Sequence, residues 1–188
     1  MEAATPKACP SRISRQAQGT PVISAKPDPV ARIVFNQAML SLQEISDRLE
    51  IQQLLVDYST AIDQRRFDDL DKVFTPDAYI DYRALGGIDG KYPEVKAWLG
   101  PALAGFPHYC HMVSNIEITL SGDTARARTL CINPMDTPLP SGGTQVMLLG
   151  LWYKDKFVRT PKGWRMSERV EEGCFQHNVP AHIAIPAA

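Results

Sequence analysis

The sequence predicts an α+β fold in which a curved, mostly antiparallel sheet wraps around a long N-terminal helix as a cone-shaped α+β barrel. Helical periodicity is concentrated before residue 104, whereas alternating strand patterns fill most of the chain from residue 112 onward. A doubly wound parallel sheet would instead alternate helices and strands along the whole chain. A cone of this kind has one open mouth and an apolar interior, which suits the binding of a small molecule.

The composition and the net charge are those of an ordinary globular domain. The 188 residues are 44% hydrophobic and 22% charged with a formal net charge of -1, so nothing favours nucleic acid or an anionic membrane as a partner. No apolar run reaches the roughly 18 residues that a membrane-spanning helix needs. We therefore expect a cytoplasmic protein with a hydrophobic small-molecule substrate and no nucleic-acid or membrane partner.

Cofactor and metal motifs are absent from the sequence. The four cysteines match no CxxC zinc pattern, and neither a GxGxxG nor a GxxxxGKS/T nucleotide motif occurs. His108 and His111 lie at a predicted loop-to-strand junction, where a three-residue spacing does not place both rings on one side. We therefore expect no cofactor and no metal.

The chain divides into an extension, one domain and a tail. Residues 1–38 are rich in Pro, Ser, Ala and Gln and show no helical or strand period, so they are predicted to be a disordered extension. Residues 39–176 contain the periodic segments and form the predicted domain. Residues 177–188 show no clear period and are predicted to be a C-terminal tail.

The first element is a long helix from Leu42 to about Gln64. Ser41 and Glu44 have the spacing of a capping box, which marks the helix start. Apolar residues then recur at helical spacing, which predicts one buried face. The predicted stripe consists of Leu42, Ile45, Leu49, Val56 and Ile62, widened by Leu54, Leu55 and Tyr58.

Three shorter elements follow the long helix. Residues 67–74, FDDLDKVF, predict a short helix that ends at the Thr-Pro-Asp sequence after it. Residues 78–85, AYIDYRAL, alternate and predict a strand, which the glycines at 86, 87 and 90 end in a turn. Residues 93–103, PEVKAWLGPAL, begin with proline in a first-turn position and predict another helix.

The remainder of the domain is predicted to consist of four antiparallel strands. Residues 112–120 and 124–132 alternate around a Ser-Gly-Asp turn, which predicts a hairpin. The prolines and glycines of residues 133–143 predict a long loop. Residues 144–160 form a long apolar strand, and residues 163–175 form the last strand after a Pro-Lys-Gly turn.

Three stretches of the chain resemble a known family. Residues 49–87, 111–129 and 151–166 resemble the SnoaL-like branch of the nuclear transport factor 2-like superfamily. That branch includes scytalone dehydratase, bile-acid 7α-dehydratase and hexachlorocyclohexane dehydrochlorinase, and the resemblance covers about residues 40 to 175. It implies the cone-shaped barrel and a homo-oligomer, either a dimer or a trimer.

The resemblance also implies four candidate catalytic residues. His111 opens a strand at the position of the catalytic histidine of all three named enzymes. Tyr58 and Asp63 have the spacing of a functional Tyr and Asp in the bile-acid enzyme, and Tyr82 stands in the Asp-Tyr-Arg tripeptide of scytalone dehydratase, whose Tyr reaches the substrate. Ile62 stands where scytalone dehydratase has a further Tyr, which argues against scytalone itself as the substrate.

The chemistry of these side chains predicts proton transfer. An imidazole accepts a proton near neutral pH, and a carboxylate on one ring nitrogen fixes its tautomer and stabilises the imidazolium. We therefore expect His111 and Asp63 to remove a proton next to a carbonyl, while Tyr58 or Tyr82 stabilises the enolate or helps water leave. Tyr58 and Asp63 are five residues apart, about 140° around an ideal helix, so their convergence requires the pocket to wrap around the helix or the helix to tighten.

The predicted function is a cofactor-independent, dehydratase-like lyase that acts on a polyketide, a steroid or another terpenoid. The alternatives are an isomerase or polyketide cyclase in the same pocket, or a non-catalytic ligand-binding or assembly module. Asn115 is expected to share the face of His111 on an unbulged strand, and His108 is either at the pocket mouth or in an ordinary loop. The candidate substrate-binding residues are Asn115, Trp152, Met147, Leu149, Phe106 and His108.

Overall fold

The computed structural model describes residues 39–186, so the predicted disordered extension lies outside the described residues. Helices and strands within this range occur in an order close to the predicted one. They are α1 (Leu42–Asp63), a 3₁₀ helix (Phe67–Lys72), β1 (Phe74–Asp81), a second 3₁₀ helix (Arg83–Leu85), β2 (Asp89–Lys91), α2 (Tyr92–Leu103), β3 (Met112–Ser121), β4 (Thr124–Pro138), β5 (Thr144–Thr160) and β6 (Gly163–His177).

The strands of the described region form one mixed sheet in the order β2-β1-β6-β5-β4-β3. Neighbouring strands are antiparallel except β1 and β6, which run parallel. α1 packs against β3 and β6, and α2 packs against β1. The predicted α+β class and the mostly antiparallel sheet around the first helix are confirmed.

The start of α1 follows its sequence signal, but its buried face differs from the predicted stripe. The Glu44 N–H donates to Ser41 Oγ at 3.2 Å, and the Ser41 N–H donates to Glu44 Oε2 at 2.7 Å. The helix turns Asp47 inward because the Trp164 indole N–H donates to it at 3.1 Å. As a result, Ile51, Leu54, Leu55, Tyr58 and Ile62 are buried, whereas Leu42, Ile45, Leu49 and Val56 are 41–85% exposed.

The strand predicted at residues 78–85 is displaced. β1 begins at Phe74 and ends at Asp81, and the residues that follow form the second 3₁₀ helix. The Thr-Pro-Asp sequence lies inside β1 at an irregularity in its register with β6. Gly90 belongs to the short strand β2, so the turn predicted at this glycine is wrong. Pairing with neighbouring strands therefore overrides these local turn signals.

β4 extends further than the predicted strand at residues 124–132. It runs to Pro138 and pairs with β5 throughout, so the predicted loop shortens to residues 139–143. The Pro134 carbonyl accepts the Cys110 N–H at 3.3 Å. Because the N–H and C=O of one residue point to the same side of an antiparallel ladder, the missing N–H of Pro134 faces the segment before β3. Its pairing with β5 is therefore unaffected.

The interior contains two apolar clusters that share neighbouring side chains such as Leu103 and Tyr109. The larger cluster joins α1 to the sheet through side chains such as Leu55, Tyr153 and Trp164, each of which is at most 1% exposed. The smaller cluster consists of Met135, Met147 and Leu149, against which residues 179–185 of the tail pack. Each fully buried side chain of this size contributes about 1.5–3 kcal/mol.

No helix within residues 39–186 is both long enough and apolar enough to cross a membrane.

Candidate active site

His111 is held by both oxygens of the Asp63 carboxylate. The ring nitrogen Nδ1 lies 2.6 Å from Asp63 Oδ1, and the His111 backbone N–H donates to Asp63 Oδ2 at 2.9 Å. Because a carboxylate only accepts, Nδ1 carries a proton, and no side chain among residues 39–186 hydrogen-bonds to Nε2. The side chain of His111 is 9% exposed and lines a cavity that is partly open to solvent, so a ligand in that cavity meets this ring.

The end of α1 brings Asp63 to His111. Asp63 is the last helical residue, and Arg65 turns the chain away with a positive φ of 55°. The Arg65 guanidinium lies 5.0 Å from the centre of the Tyr109 ring, and the Tyr109 hydroxyl donates to the Ile62 carbonyl at 3.1 Å. These contacts fasten the segment before β3 to the helix end. The hydrogen bonds from His111 offset the unfavourable position of a carboxylate at the negative end of the helix dipole.

Tyr58 and Tyr82 form a buried pair of hydroxyl groups. Their oxygens lie 2.7 Å apart, and both residues line the cavity. Burial raises the pKa of Tyr58 and raises that of Tyr82 well above its ordinary value, so both phenols remain protonated at neutral pH. The Tyr58 ring meets the His111 ring edge-on, with centres 6.3 Å apart. Tyr58 and Asp63 therefore converge through His111, because the site surrounds the end of the helix.

The cavity has a volume of about 250 Å³ and a mostly apolar wall. The predicted wall residues Met147, Leu149 and Phe106 all line it. Ile183 and Ile185 of the C-terminal tail also line it and pack on the smaller apolar cluster. The tail therefore forms part of the wall, so the cavity is more enclosed than the cone of strands and helices would make it.

Three of the predicted substrate-binding residues do not line the cavity. Asn115 has a positive φ of 48° at a bulge in β3 and is exposed, so the unbulged alternation expected after His111 does not hold. Trp152 lies beneath the guanidinium of Arg128, 3.5 Å from the ring centre, on the outer face of the sheet. The side chain of His108 is 84% exposed and pairs with Asp136.

Two polar residues of the cavity were missed in the sequence. Asn133 on β4 is 5% exposed, and its side-chain oxygen is buried without a hydrogen-bond donor in the described part of the chain. Glu171 on β6 also lines the cavity. Burial raises the pKa of Glu171 to about 8, while Arg169 opposes this rise and Asp81 adds to it. At pH 7 Glu171 is therefore mainly a neutral carboxylic acid.

Arg169 supports the site from within the core. Its guanidinium lies 4.0 Å from the centre of the Tyr58 ring and 3.9 Å from that of Tyr153. It donates two hydrogen bonds of 2.8 Å to Asp155, so both buried charges are paired. This arrangement fixes the Tyr58 ring and with it one side of the hydroxyl pair.

Chemically, the arrangement combines an imidazole nitrogen without a partner in the described residues, one neutral acid and a pair of phenols that has one hydroxyl proton left to donate, all at a mostly apolar cavity. Low polarity around such groups strengthens each hydrogen bond to a developing charge. Between residues 39 and 186, no three His, Cys, Asp or Glu side chains are grouped so that they could share a metal ion.

Comparisons with known proteins agree with this architecture. The model of the SnoaL-like domain family matches residues 43–170. The protein Rv2910c of Mycobacterium tuberculosis is 64% identical over 143 residues, which cover 76% of this chain and 96% of that protein.

Two crystal structures illustrate the similarity in fold. A protein from Novosphingobium aromaticivorans, provisionally named a scytalone dehydratase, has a TM-score of 0.64 at 19% identity, covering 76% of this chain and 93% of that one. The hexachlorocyclohexane dehydrochlorinase LinA-type3 from Novosphingobium barchaimii LL02 has a TM-score of 0.63 at 20% identity, covering 77% of this chain and 98% of that one. At such identities the similarity concerns the fold alone.

Proposed function

Because the chain belongs to the SnoaL-like domain family, we propose that it is a cofactor-independent lyase that dehydrates a hydrophobic small molecule. The observation that carries this proposal is the contact of 2.6 Å between His111 Nδ1 and Asp63 at the wall of an apolar cavity. A dehydratase and a dehydrochlorinase are named among proteins of the same fold, and both names describe elimination reactions. Elimination changes no oxidation state of the protein and asks for no redox partner.

The proposed reaction begins with removal of a proton next to a carbonyl group. His111 Nε2 takes the proton, and Asp63 holds the ring in place and stabilises the imidazolium that forms. The hydroxyl pair of Tyr58 and Tyr82 donates to the carbonyl oxygen as it acquires enolate charge. A base positioned in this way contributes a factor of about 100 to 10,000 to the rate.

The size of the cavity favours a compact substrate. An engineered apolar cavity of about 150 Å³ encloses one benzene ring, and the cavity here is about 250 Å³. We therefore propose a substrate with one or two fused rings or an equivalent branched chain. Within the predicted classes, this volume favours an aromatic polyketide or a small terpenoid over a steroid.

The test compares two site variants with a matched surface variant on a panel of cyclic hydroxy ketones. We expect His111→Ala and Asp63→Asn to lower kcat by about 100- to 10,000-fold, because the first removes the base and the second removes the charge that stabilises it. The control is His108→Ala, since that histidine is exposed and three residues away. If both site variants turn over at the wild-type rate, the proposal is rejected.

The alternative function is that of an isomerase or cyclase in the same cavity. The Tyr58–Tyr82 hydroxyl pair favours it as much as dehydration, because both reactions pass through an enolate that needs donors at its oxygen. Product mass separates the two, since dehydration removes one water and isomerisation removes nothing. A non-catalytic binding module would bind the same ketones tightly and leave their mass and absorbance unchanged.

We also propose that the chain forms a homo-oligomer, a dimer or a trimer. The support is the exposed apolar face of α1, where Leu42 is 85% and Leu49 is 60% exposed. Exposed large apolar side chains grouped on one face often mark an interface. Light scattering of the purified chain measures its mass in solution, and a mass of 20.9 kDa at micromolar concentration would contradict the proposal.

A further inference from the structure

Glu171 is an acidic side chain on the inner face of β6 that the mechanism above leaves without a role. The next residue, Glu172, faces outward and pairs with Lys154 and Arg128. Strand alternation therefore turns Glu171 toward the cavity, which it lines. Its partner in the β5–β6 register is Tyr153, which is 1% exposed. The accessible part of Glu171 is therefore cavity wall and not outer surface.

Glu171 lies near charged groups but is paired with none of them. Arg169, the cation that lowers the pKa of Glu171, directs Nε and Nη2 to Asp155, and its Nη1 has no hydrogen-bond partner among the described residues. Asp81 repels an ionised Glu171, and among residues 39–186 no side chain hydrogen-bonds to its carboxyl group. Glu171 is half-buried, and a carboxyl group without a partner at a mostly apolar cavity keeps its proton. Glu171 is therefore a proton donor that no protein group satisfies.

Asn133 is the second unsatisfied polar group of the cavity. Its Oδ1 atom is a buried acceptor without a donor in the described region, and the residue lies on β4, across β5 from β6. Leaving such an atom unpaired costs about 1–3 kcal/mol unless a ligand supplies the donor. A hydroxyl group donates one hydrogen bond and accepts others. Asn133 lies opposite Leu149 on β5, and Glu171 lies opposite Tyr153, four residues further along that strand. A ligand with two oxygen groups therefore matches the pair, with a hydroxyl group that donates to Asn133 and another oxygen that accepts from Glu171.

We propose that Glu171 is the general acid of the elimination and that the substrate is a β-hydroxy carbonyl compound whose leaving hydroxyl group accepts a hydrogen bond from Glu171, while Asn133 accepts one from a second donor of the substrate. This inference rests on the proposed function, because it assigns the leaving group in the same cavity. The carbonyl oxygen then meets the hydroxyl pair of Tyr58 and Tyr82. The C–H bond between carbonyl and hydroxyl groups faces His111.

The step balances in atoms and charge. His111 Nε2 takes the α-proton, and the electrons of that C–H bond form the new C=C bond. The C–O bond breaks with its electron pair on oxygen, and Glu171 protonates that oxygen so that water leaves. His111 then carries one positive charge and Glu171 one negative charge, and proton transfer through water restores both groups.

The test separates acid catalysis from proton abstraction by changing the leaving group. A β-hydroxy ketone needs a proton on its leaving oxygen, whereas the matched β-chloro ketone releases chloride without one. We expect Glu171→Gln to lower kcat for the hydroxy ketone by about 100- to 10,000-fold and to change kcat for the chloro ketone by less than about threefold. The control is Glu172→Gln, since that carboxylate lies on the outer face.

The variant His111→Ala distinguishes a failure of the acid role of Glu171 from a failure of the proposed function. If it loses activity on both ketones while Glu171→Gln loses neither or loses both equally, the role of Glu171 is overturned and the proposed function stands. If His111→Ala keeps both activities, the proposed function fails and the role of Glu171 fails with it. If Glu171→Gln loses only the reaction with the hydroxy ketone, the acid role of Glu171 and the proposed function are both supported.

A pH profile of the wild-type chain gives a second readout that does not depend on how the variants fold. Within the described residues, the charged and titratable groups near Glu171 are Arg169, Asp81, Tyr153, Tyr58, Tyr82 and Cys131, and His111 lines the same cavity. The acid works only while protonated, so dehydration should decline as the pH rises past the pKa of Glu171, about 8. Chloride elimination should lack this decline, and an identical decline for both ketones would overturn the proposal.

Discussion

The neutral state of Glu171 predicts a pH dependence of folding stability that can be measured without any substrate. In the folded chain the pKa of Glu171 is raised from 4.5 to about 8 by burial. Between these values the folded chain holds a proton that the unfolded chain has lost. The free energy of unfolding therefore falls with rising pH by about 1.4 kcal/mol per pH unit over this window. The contribution is fully present below pH 4.5 and is lost as the pH rises past 8.

The variant Glu171→Gln removes this proton exchange and leaves a side chain of nearly the same shape. Between pH 5.5 and 7.5 we expect the wild-type chain to lose about 3 kcal/mol more stability than the variant. Urea unfolding at pH 5.5, 6.5 and 7.5, at one protein concentration, measures this difference. The m value is about 1–3 kcal/mol per molar urea. The urea midpoint of the wild-type chain should therefore fall by about 1–3 M relative to that of the variant between pH 5.5 and 7.5. Groups that titrate in both chains cancel in the comparison.

Glu172→Gln provides the matched control. Its hydrogen bond to Lys154 lowers the pKa of Glu172, so its carboxyl group is ionised in both states throughout this pH range and its removal should leave the slope unchanged. Parallel pH dependences for the wild-type chain and Glu171→Gln would mean that Glu171 is ionised in the folded state. The assignment of this residue as an acid would then lose its physical basis.

Two further predictions concern the surroundings of the site. Arg169→Met should lower the free energy of unfolding by about 3–5 kcal/mol because it leaves Asp155 as an unpaired buried charge, and Arg169→Met/Asp155→Leu should recover most of this loss in urea unfolding. Equal stability of the single and double variants would refute this reasoning. Truncation after Asn178 should raise the fluorescence of a bound apolar dye while circular dichroism stays unchanged, because Ile183 and Ile185 cover the cavity but belong to no strand. An unchanged dye signal would show that the tail does not close the cavity.

Elements with short-range signals were predictable from the sequence. The capping box of Ser41 and Glu44 marks the start of α1 by hydrogen bonds within one helical turn. Alternation of side chains predicted β3 and the first part of β4, because a strand with one buried face has a period of two. These features depend on residues that are near each other in the chain, so neighbouring letters are enough to recognise them.

Elements that depend on distant partners were misplaced. β1 begins at Phe74 because it pairs with Met166 of β6, far along the chain. β4 continues through Pro134 because the missing N–H points away from β5. The buried face of α1 follows Asp47, whose partner Trp164 lies more than a hundred residues later. No local pattern encodes such pairings.

The candidate site divides in the same way. The resemblance to the SnoaL-like branch singled out Tyr58, Asp63, Tyr82 and His111 as candidates, because the motifs that carry the resemblance are short and visible in the sequence. Glu171 was not found, because residues 171 and 172 are both glutamate in a strand with many charged residues, and the sequence does not show which of the two faces inward.

By itself, then, the sequence determined the fold class, the limits of the long helix and the side chains suited to proton transfer. Only the tertiary structure decided which of two neighbouring glutamates faces the cavity, because orientation depends on the register between β5 and β6. Burial, and with it the proton carried by Glu171, follows from that register. The protonation of Glu171 depends on the groups around it, and those groups come from segments that are far apart in the chain.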